Sequence, residues 1–182
     1  MSFKYSFNLQ SQERKRALPH KLIIGRQELE PANNVILKLL GYIFFFRDRL
    51  QVQPNLHNES IPYVPDLVEL DFELRPRLWV ECGETSLNKL NKLAVKVNEA
   101  EIWIVKASFA EAEALLPAMR KADLRTERYW ILGFDDVMIR EMTGALQSRN
   151  ELTWVRCDPE EKNLQLDFNG LWYDAPYTVL RF

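Results

Sequence analysis

The sequence predicts a single α/β domain, spanning residues 1–182, on a central β-sheet that mixes parallel and antiparallel strands. Three observations predict it. Two strand-like segments open the chain, and apolar strand patterns then alternate with helical ones. The 182 residues suit one domain with a full core. Hydrophobic residues at 47% and charged residues at 27% are ordinary for a globular protein in water.

Each element follows from local pattern. Phe3, Tyr5, Phe7 and Leu9 alternate with polar residues, which is strand periodicity and not the core of a signal peptide. A second strand is expected over 18–25, joined to the first across "QSQERKR". Glu30 and Pro31 open a long helix reaching about residue 48, since proline suits a first helical turn. Its run "VILKLLGYIFFF" carries Lys38 and is too short to span a bilayer, so it reads as a central helix buried between layers. "QVQPNLHNESIPYVP" is a polar, proline-marked loop. Strands near 66–73 and 77–82 follow, separated by a turn at Arg75-Pro76, and then a helix over about 86–98. Thr85 or Ser86 caps that helix, and Leu87, Leu90, Ala94 and Val97 mark its buried face. "IWIVKA" and "RYWILGF" are apolar strands. Between them lies a helix through "AEAEALLPAMRKA", expected to bend or break at Pro117. Asp135 to Gln147 forms another helix, and "LTWVRC" with "NLQLDF" a closing pair of strands. The aromatic tail "GLWYDAPYTVLRF" suits core and edge packing better than a binding face.

Composition narrows function. A net charge of −2 excludes a strongly basic, nonspecific nucleic-acid binder but leaves room for a local basic patch. Cys82 and Cys157 have no CxxC partner and no ligand-spaced histidine, which argues against a disulfide framework or zinc site and suits a reducing cytoplasm. His20 and His57 lie far apart and read as loop or surface residues.

The chemistry centres on two acids. Asp66 follows Pro65 at the entrance to one strand, and Glu81 lies near the exit of the next, after the apolar Leu78, Trp79 and Val80. An ionised glutamate there loses hydration unless a cation, a proton or hydrogen bonds compensate it. The turn at Arg75-Pro76 brings both carboxylates to one end of the sheet, where they suit a hard divalent cation such as Mg²⁺. The plainer alternative has Asp66 capping a turn and Glu81 facing solvent at the rim. Lys89, Lys92 and Lys96 form a basic stripe opposite the apolar face of the following helix, either solvated or reaching a phosphate with its early lysines.

The segment "PDLVELDFELRPRLWVECGETSLNKLNKLA" resembles the PD-(D/E)XK nuclease superfamily. Nearly the whole chain resembles the YaeQ family of bacterial proteins, whose biochemical role is not established. "KLIIGRQELE", "VILKLLGYIFFFRDRLQ", "LWVECG" and "NLQLDFNGLWY" stand in the same order and spacing. The resemblance implies a restriction-endonuclease-like mixed sheet flanked by helices, with extra N- and C-terminal strands. It implies Asp66 as the first acid, with Asp71 a rival, and Glu81 as the second. The superfamily's lysine is expected two residues after that acid, where this chain has Gly83. A basic residue of the next helix replaces it: Lys92 by family position, or Lys89 by simple reach. Glu30 matches a family glutamate and adds a third carboxylate. On this reading Mg²⁺ held by Asp66 and Glu81 supports phosphodiester hydrolysis of nucleic acid in the cytoplasm. The competing readings are a catalytically degenerate nuclease-fold module that binds nucleic acid or a protein partner, and an interaction domain using the aromatic tail.

Overall fold

The computed structural model describes residues 2–56 and 60–182; His57 lies outside them. The chain order is β1 (Phe3–Ser11), β2 (Lys21–Arg26), α1 (Asn33–Phe44), β3 (Leu50–Val52), β4 (Leu67–Leu70), β5 (Pro76–Cys82) and α2 (Leu87–Lys96). There follow β6 (Glu101–Lys106), α3 (Phe109–Lys121), β7 (Tyr129–Phe134), α4 (Asp136–Gly144), β8 (Arg149–Asp158), β9 (Asn163–Phe168) and β10 (Leu171–Arg181). The fold is mixed α/β, and its ten strands form one sheet in the order β2-β1-β8-β9-β10-β7-β6-β5-β4-β3. β5, β6 and β7 run parallel, linked by helical crossovers, whereas β4 and β10 flank them antiparallel. No helix among the described residues is long and apolar enough to cross a membrane.

The sheet curls until its edges almost meet. Gln53, just after β3, accepts the Gly25 N–H of β2 at 2.8 Å and donates its own amide to the Gly25 carbonyl at 2.7 Å. One side-chain amide thus imitates a strand pairing across the gap and satisfies edge groups that would otherwise stay open. α1 lies inside the curl. Val35 to Ile43 are all buried, which explains its apolar character on every side. Side chains of β5 alternate between two cores. Leu78, Val80 and Cys82 join α1, while Trp79 joins the cluster beneath α2 and α3.

Several elements differ from expectation. α1 starts at Asn33, because Pro31 and Ala32 accept the N–H groups of Asn34 and Val35 in a tighter turn, and it ends at Phe44. β3 begins inside the aromatic-to-polar transition and pairs with β4, so the expected loop is shorter. α3 continues through Pro117. The ring removes the bond to the Glu113 carbonyl, and both residues are exposed, so water reaches the freed group. The tail packs in the core as expected, with Tyr173, Ala175, Tyr177 and Phe182 buried, but it is a central strand and not an edge: Leu171–Pro176 of β10 pairs with β9 and Tyr177–Arg181 with β7.

Candidate functional site

Asp66 stands immediately before β4, at the end of the sheet where the parallel strands finish. Its N–H donates to the Val80 carbonyl at 3.1 Å, and its Oδ2 accepts the Cys82 N–H at 2.7 Å. Backbone and side chain together bracket Glu81, the residue between those two partners. The Asp66 carboxylate replaces a ladder acceptor that a regular strand would have offered from its backbone.

Glu81 is not a solvent-facing rim residue; it is 4% exposed. It shares the α2 face of β5 with Trp79, whose indole N–H donates to Oε1 at 2.7 Å. Lys89 donates its ammonium to Oε2 at 2.7 Å. Lys89 belongs to the first turn of α2, which is set beside β5 by Ser86: the Ser86 hydroxyl accepts the Lys89 N–H at 3.1 Å. The expectation that Lys92 would fill this role gives way to Lys89. Lys92 is exposed and pairs with none of the three acids.

Glu30 and Asp66 share a second lysine that sequence reasoning did not place here. Lys38, in the middle of α1 and 2% exposed, pairs with the Glu30 carboxylate and lies 3.6 Å from Asp66 Oδ1. Glu30 is held in the turn before α1, where Arg26 donates to its carbonyl at 2.7 Å and the Gln27 N–H to its Oε2 at 3.1 Å. The signal for Lys38 was present: a single cation in an otherwise apolar run, eight positions after an acid. A lysine in that setting needs an anion at hand.

Two acid–lysine pairings therefore lie at one end of the sheet, Glu30 and Asp66 about Lys38 of α1 and Glu81 with Lys89 of α2. Burial dominates their electrostatics. It raises the Asp66 pKa above the ordinary aspartate value, against the lowering pull of Lys38 and the Cys82 N–H. It raises Glu81 likewise, against Lys89 and the Trp79 hydrogen bond, and the negative charge of Asp66 adds to the rise. The neighbouring Cys82 thiol is pushed up well beyond its usual range by burial, then by Asp66. It is an inert core thiol, not a nucleophile.

Gly83 explains why no lysine follows Glu81 by two. Its φ is +80°, and a Cβ there would lie 2.3 Å from Asn34 Oδ1 of α1. Lys106 instead reaches back from β6 and donates to the Gly83 carbonyl at 2.8 Å. A cavity of about 640 Å³ opens beside this junction, with Glu30, Asn34, Gly83 and Lys106 in its wall. Asp71 is absent from this group. It sits at the opposite end of the β4–β5 hairpin, accepting the N–H groups of Glu73 and Arg75 at 2.9 Å each. Arg75 and Arg77 pair with it, and its pKa falls to about 2, chiefly through the Arg75 N–H.

The donor set suits a particular kind of cation. Among the described residues, no three His, Cys, Asp or Glu side chains are grouped to form a metal cage. Mg²⁺ binds through one or two protein carboxylates and keeps waters or substrate phosphates as its other ligands, and Asp66 and Glu81, which feel each other's charge, are the two acids here that could supply them.

The sequence profile of the YaeQ protein family matches residues 1–167. The crystal structure of the YaeQ protein from Xanthomonas axonopodis pv. citri superposes with a TM-score of 0.71 at 16% identity, covering 99% of this chain and 97% of that one. The YaeQ protein from Pseudomonas syringae gives a TM-score of 0.74 at 16% identity, covering 100% and 96%. At such identity these likenesses show the fold alone. No curated protein matches the chain.

Proposed function

The chain belongs to the YaeQ family, and we propose that its acid cluster is a divalent-cation-dependent phosphodiesterase site acting on nucleic acid. On this reading β4, β5, α2 and β6 form the heart of a restriction-endonuclease-like core. One observation carries the proposal: Asp66 is tied to the residues on either side of Glu81, at a sheet end where burial opposes the ionisation of both acids. The charges that offset them are Lys38 and Lys89, helped by the Cys82 N–H and the Trp79 indole N–H. Apolar residues of similar size would pack at such a place without that cost, so a charge set of this kind points to chemistry.

Asp66 and Glu81 are the residues that would hold Mg²⁺. When bound, the ion supplies polarisation of a phosphoryl oxygen and a bound water of lowered pKa. Lys89, beside Glu81, would offset charge on the phosphate. Lys38 stays buried and keeps Asp66 and Glu30 in place, so it is a positioning residue. The Cys82 N–H fixes the Asp66 carboxylate in one orientation.

The test pairs a calorimetric Mg²⁺ titration with hydrolysis of labelled single- and double-stranded DNA and RNA. Saturable binding, and cleavage that needs Mg²⁺, are expected in the parent and lost in Asp66→Asn and Glu81→Gln. A parent with neither binding nor cleavage at millimolar Mg²⁺ overturns the proposal. One feature favours the competing reading of a nuclease-fold module that only binds: the acids are already paired with Lys38 and Lys89, so a cation must compete with an ammonium. Nucleic-acid binding that is indifferent to Mg²⁺ and to Glu81→Gln would decide for that module.

A further inference from the structure

We infer that the cavity beside Glu30 is a nucleobase pocket, which takes one unstacked base of a single-stranded nucleic acid whose backbone runs past Asp66 and Glu81. The choice of ligand class rests on the proposed phosphodiesterase reading; the pocket's own chemistry does not. A volume of about 640 Å³ lies within the range of small-molecule sites. Leu37 of α1 and Leu115 and Ala118 of α3 give it an apolar wall against which a flat ring can pack. Gly83 closes one side, and no side chain intrudes from it.

The polar groups suit a base better than a phosphate. Two acids in the wall are already engaged: Glu30 with Lys38 and the Gln27 N–H, and Glu111 with the Ala107 N–H. Asn33 and Asn34 are different. Both are half-buried at the start of α1, both line the cavity, and neither side chain hydrogen-bonds to the protein among the described residues. That helix start also has no side-chain cap. A primary amide presents a donor and an acceptor in one plane, which is the complement of a base edge carrying an acceptor beside an amino group. Phosphate inside the cavity would meet Glu30, Glu84 and Glu111 against Lys106 alone, so the base enters and the phosphate stays outside.

Position supports the same assignment. Glu30 belongs to both the acid cluster and the cavity wall, and Gly83 follows Glu81 by two residues. A nucleotide with its base in the cavity can therefore lead its backbone past Glu30 toward the acids. A paired base is held in its stack and must be extruded before it can enter such a pocket, so unpaired nucleic acid is the preferred class.

The experiment uses the whole chain in metal-free buffer, so that binding is read apart from the acid cluster. Adenosine, guanosine, cytidine and uridine are titrated by calorimetry and ligand-observed NMR, beside single-stranded pentanucleotides and a short duplex. At least one nucleoside should bind, the matching single strand should bind more tightly, and the duplex should be the weakest. Ala114→Trp fills the cavity from an exposed position of α3 and should weaken nucleoside binding about tenfold or more. Asn33→Ala should weaken it severalfold or change the order of base preference, and it keeps the test decisive if the tryptophan variant folds poorly. Lys92→Ala, at an exposed position that does not line the cavity, should leave nucleoside affinity unchanged. No nucleoside binding at millimolar concentration, or binding indifferent to both pocket substitutions, overturns the inference. A single strand that binds no tighter than its nucleoside overturns the link to a strand. Nucleoside binding without Mg²⁺-dependent cleavage would defeat the catalytic reading and leave the pocket standing; cleavage without nucleoside binding would do the reverse.

Discussion

The two ends of the β4–β5 hairpin carry aspartates of nearly equal side-chain exposure, 23% at Asp66 and 17% at Asp71, yet their acidities move in opposite directions. Asp71 caps a turn beside Phe72 and Leu74, which are 94% and 68% exposed, so it sits in a wet, protruding place. Two backbone N–H groups and two arginines donate to it and bring its pKa to about 2. Asp66 accepts one backbone N–H, with Lys38 at 3.6 Å, and has two acids near it; there burial prevails. Desolvation prevails at Asp66 and hydrogen-bond donors prevail at Asp71, although the two side chains leave nearly the same area open to solvent. At the turn the surroundings favour the ionised acid; at the sheet end they oppose it.

The largest test of that contrast is Lys38→Met, which keeps the shape of the side chain and leaves Glu30 and Asp66 without their buried cation. A loss of about 3 kcal/mol in urea unfolding is expected, since stranding one member of a buried ion pair is costly. Adding Asp66→Asn should recover part of that loss. A loss no larger than a surface substitution would mean that the sheet end stores no strain. Next in size is Gly83→Lys, which puts a lysine two residues after Glu81. Its φ of +80° and the Asn34 contact predict destabilisation by about 1–3 kcal/mol. A stable variant would refute the steric account of the missing lysine.

A smaller effect, but the sharper one, is Glu81→Gln. Because burial raises the Glu81 pKa, the neutral amide should be as stable as the parent or more stable, by about 1 kcal/mol or less, in metal-free buffer near neutral pH. Millimolar Mg²⁺ should narrow or reverse that order, because only the parent gains binding linked to folding. Asp71→Asn should destabilise in both buffers alike. The pH dependence carries opposite signs at the two ends. Asp71, lowered from 3.8 to about 2, contributes stability above its ordinary value that is lost as pH falls toward 2. Asp66 and Glu81, raised from 3.8 and 4.5, contribute stability below those values that is lost as pH rises through their folded pKa. Melts of the parent against each single variant across acid pH should therefore slope in opposite directions; matching slopes would erase the distinction. The smallest effect is Lys92→Ala, which should change stability by less than about 0.5 kcal/mol and leave any Mg²⁺ response intact. A large effect there would restore Lys92 to the site in place of Lys89.

Local pattern in the sequence determined much of this protein. The alternation of Phe3, Tyr5, Phe7 and Leu9 specified a strand, and the apolar run through Ile43 specified a helix buried on all sides. Asp66 and Glu81 were legible because a proline-marked strand entrance and a carboxylate at the end of "LWV" are both local signals. Tertiary structure alone decided which charges meet. Lys38 and Lys92 are both lysines on helices, and only the placement of α1 inside the curled sheet turns the first toward Glu30 and Asp66. The same holds for Gln53, which closes the sheet on Gly25 from 28 positions away, and for β10, whose aromatic pattern suits an edge or a centre equally until β7 and β9 claim its two halves. Periodicity states which face of an element is apolar, but pairing depends on distances across elements, and those arise only when the chain has packed.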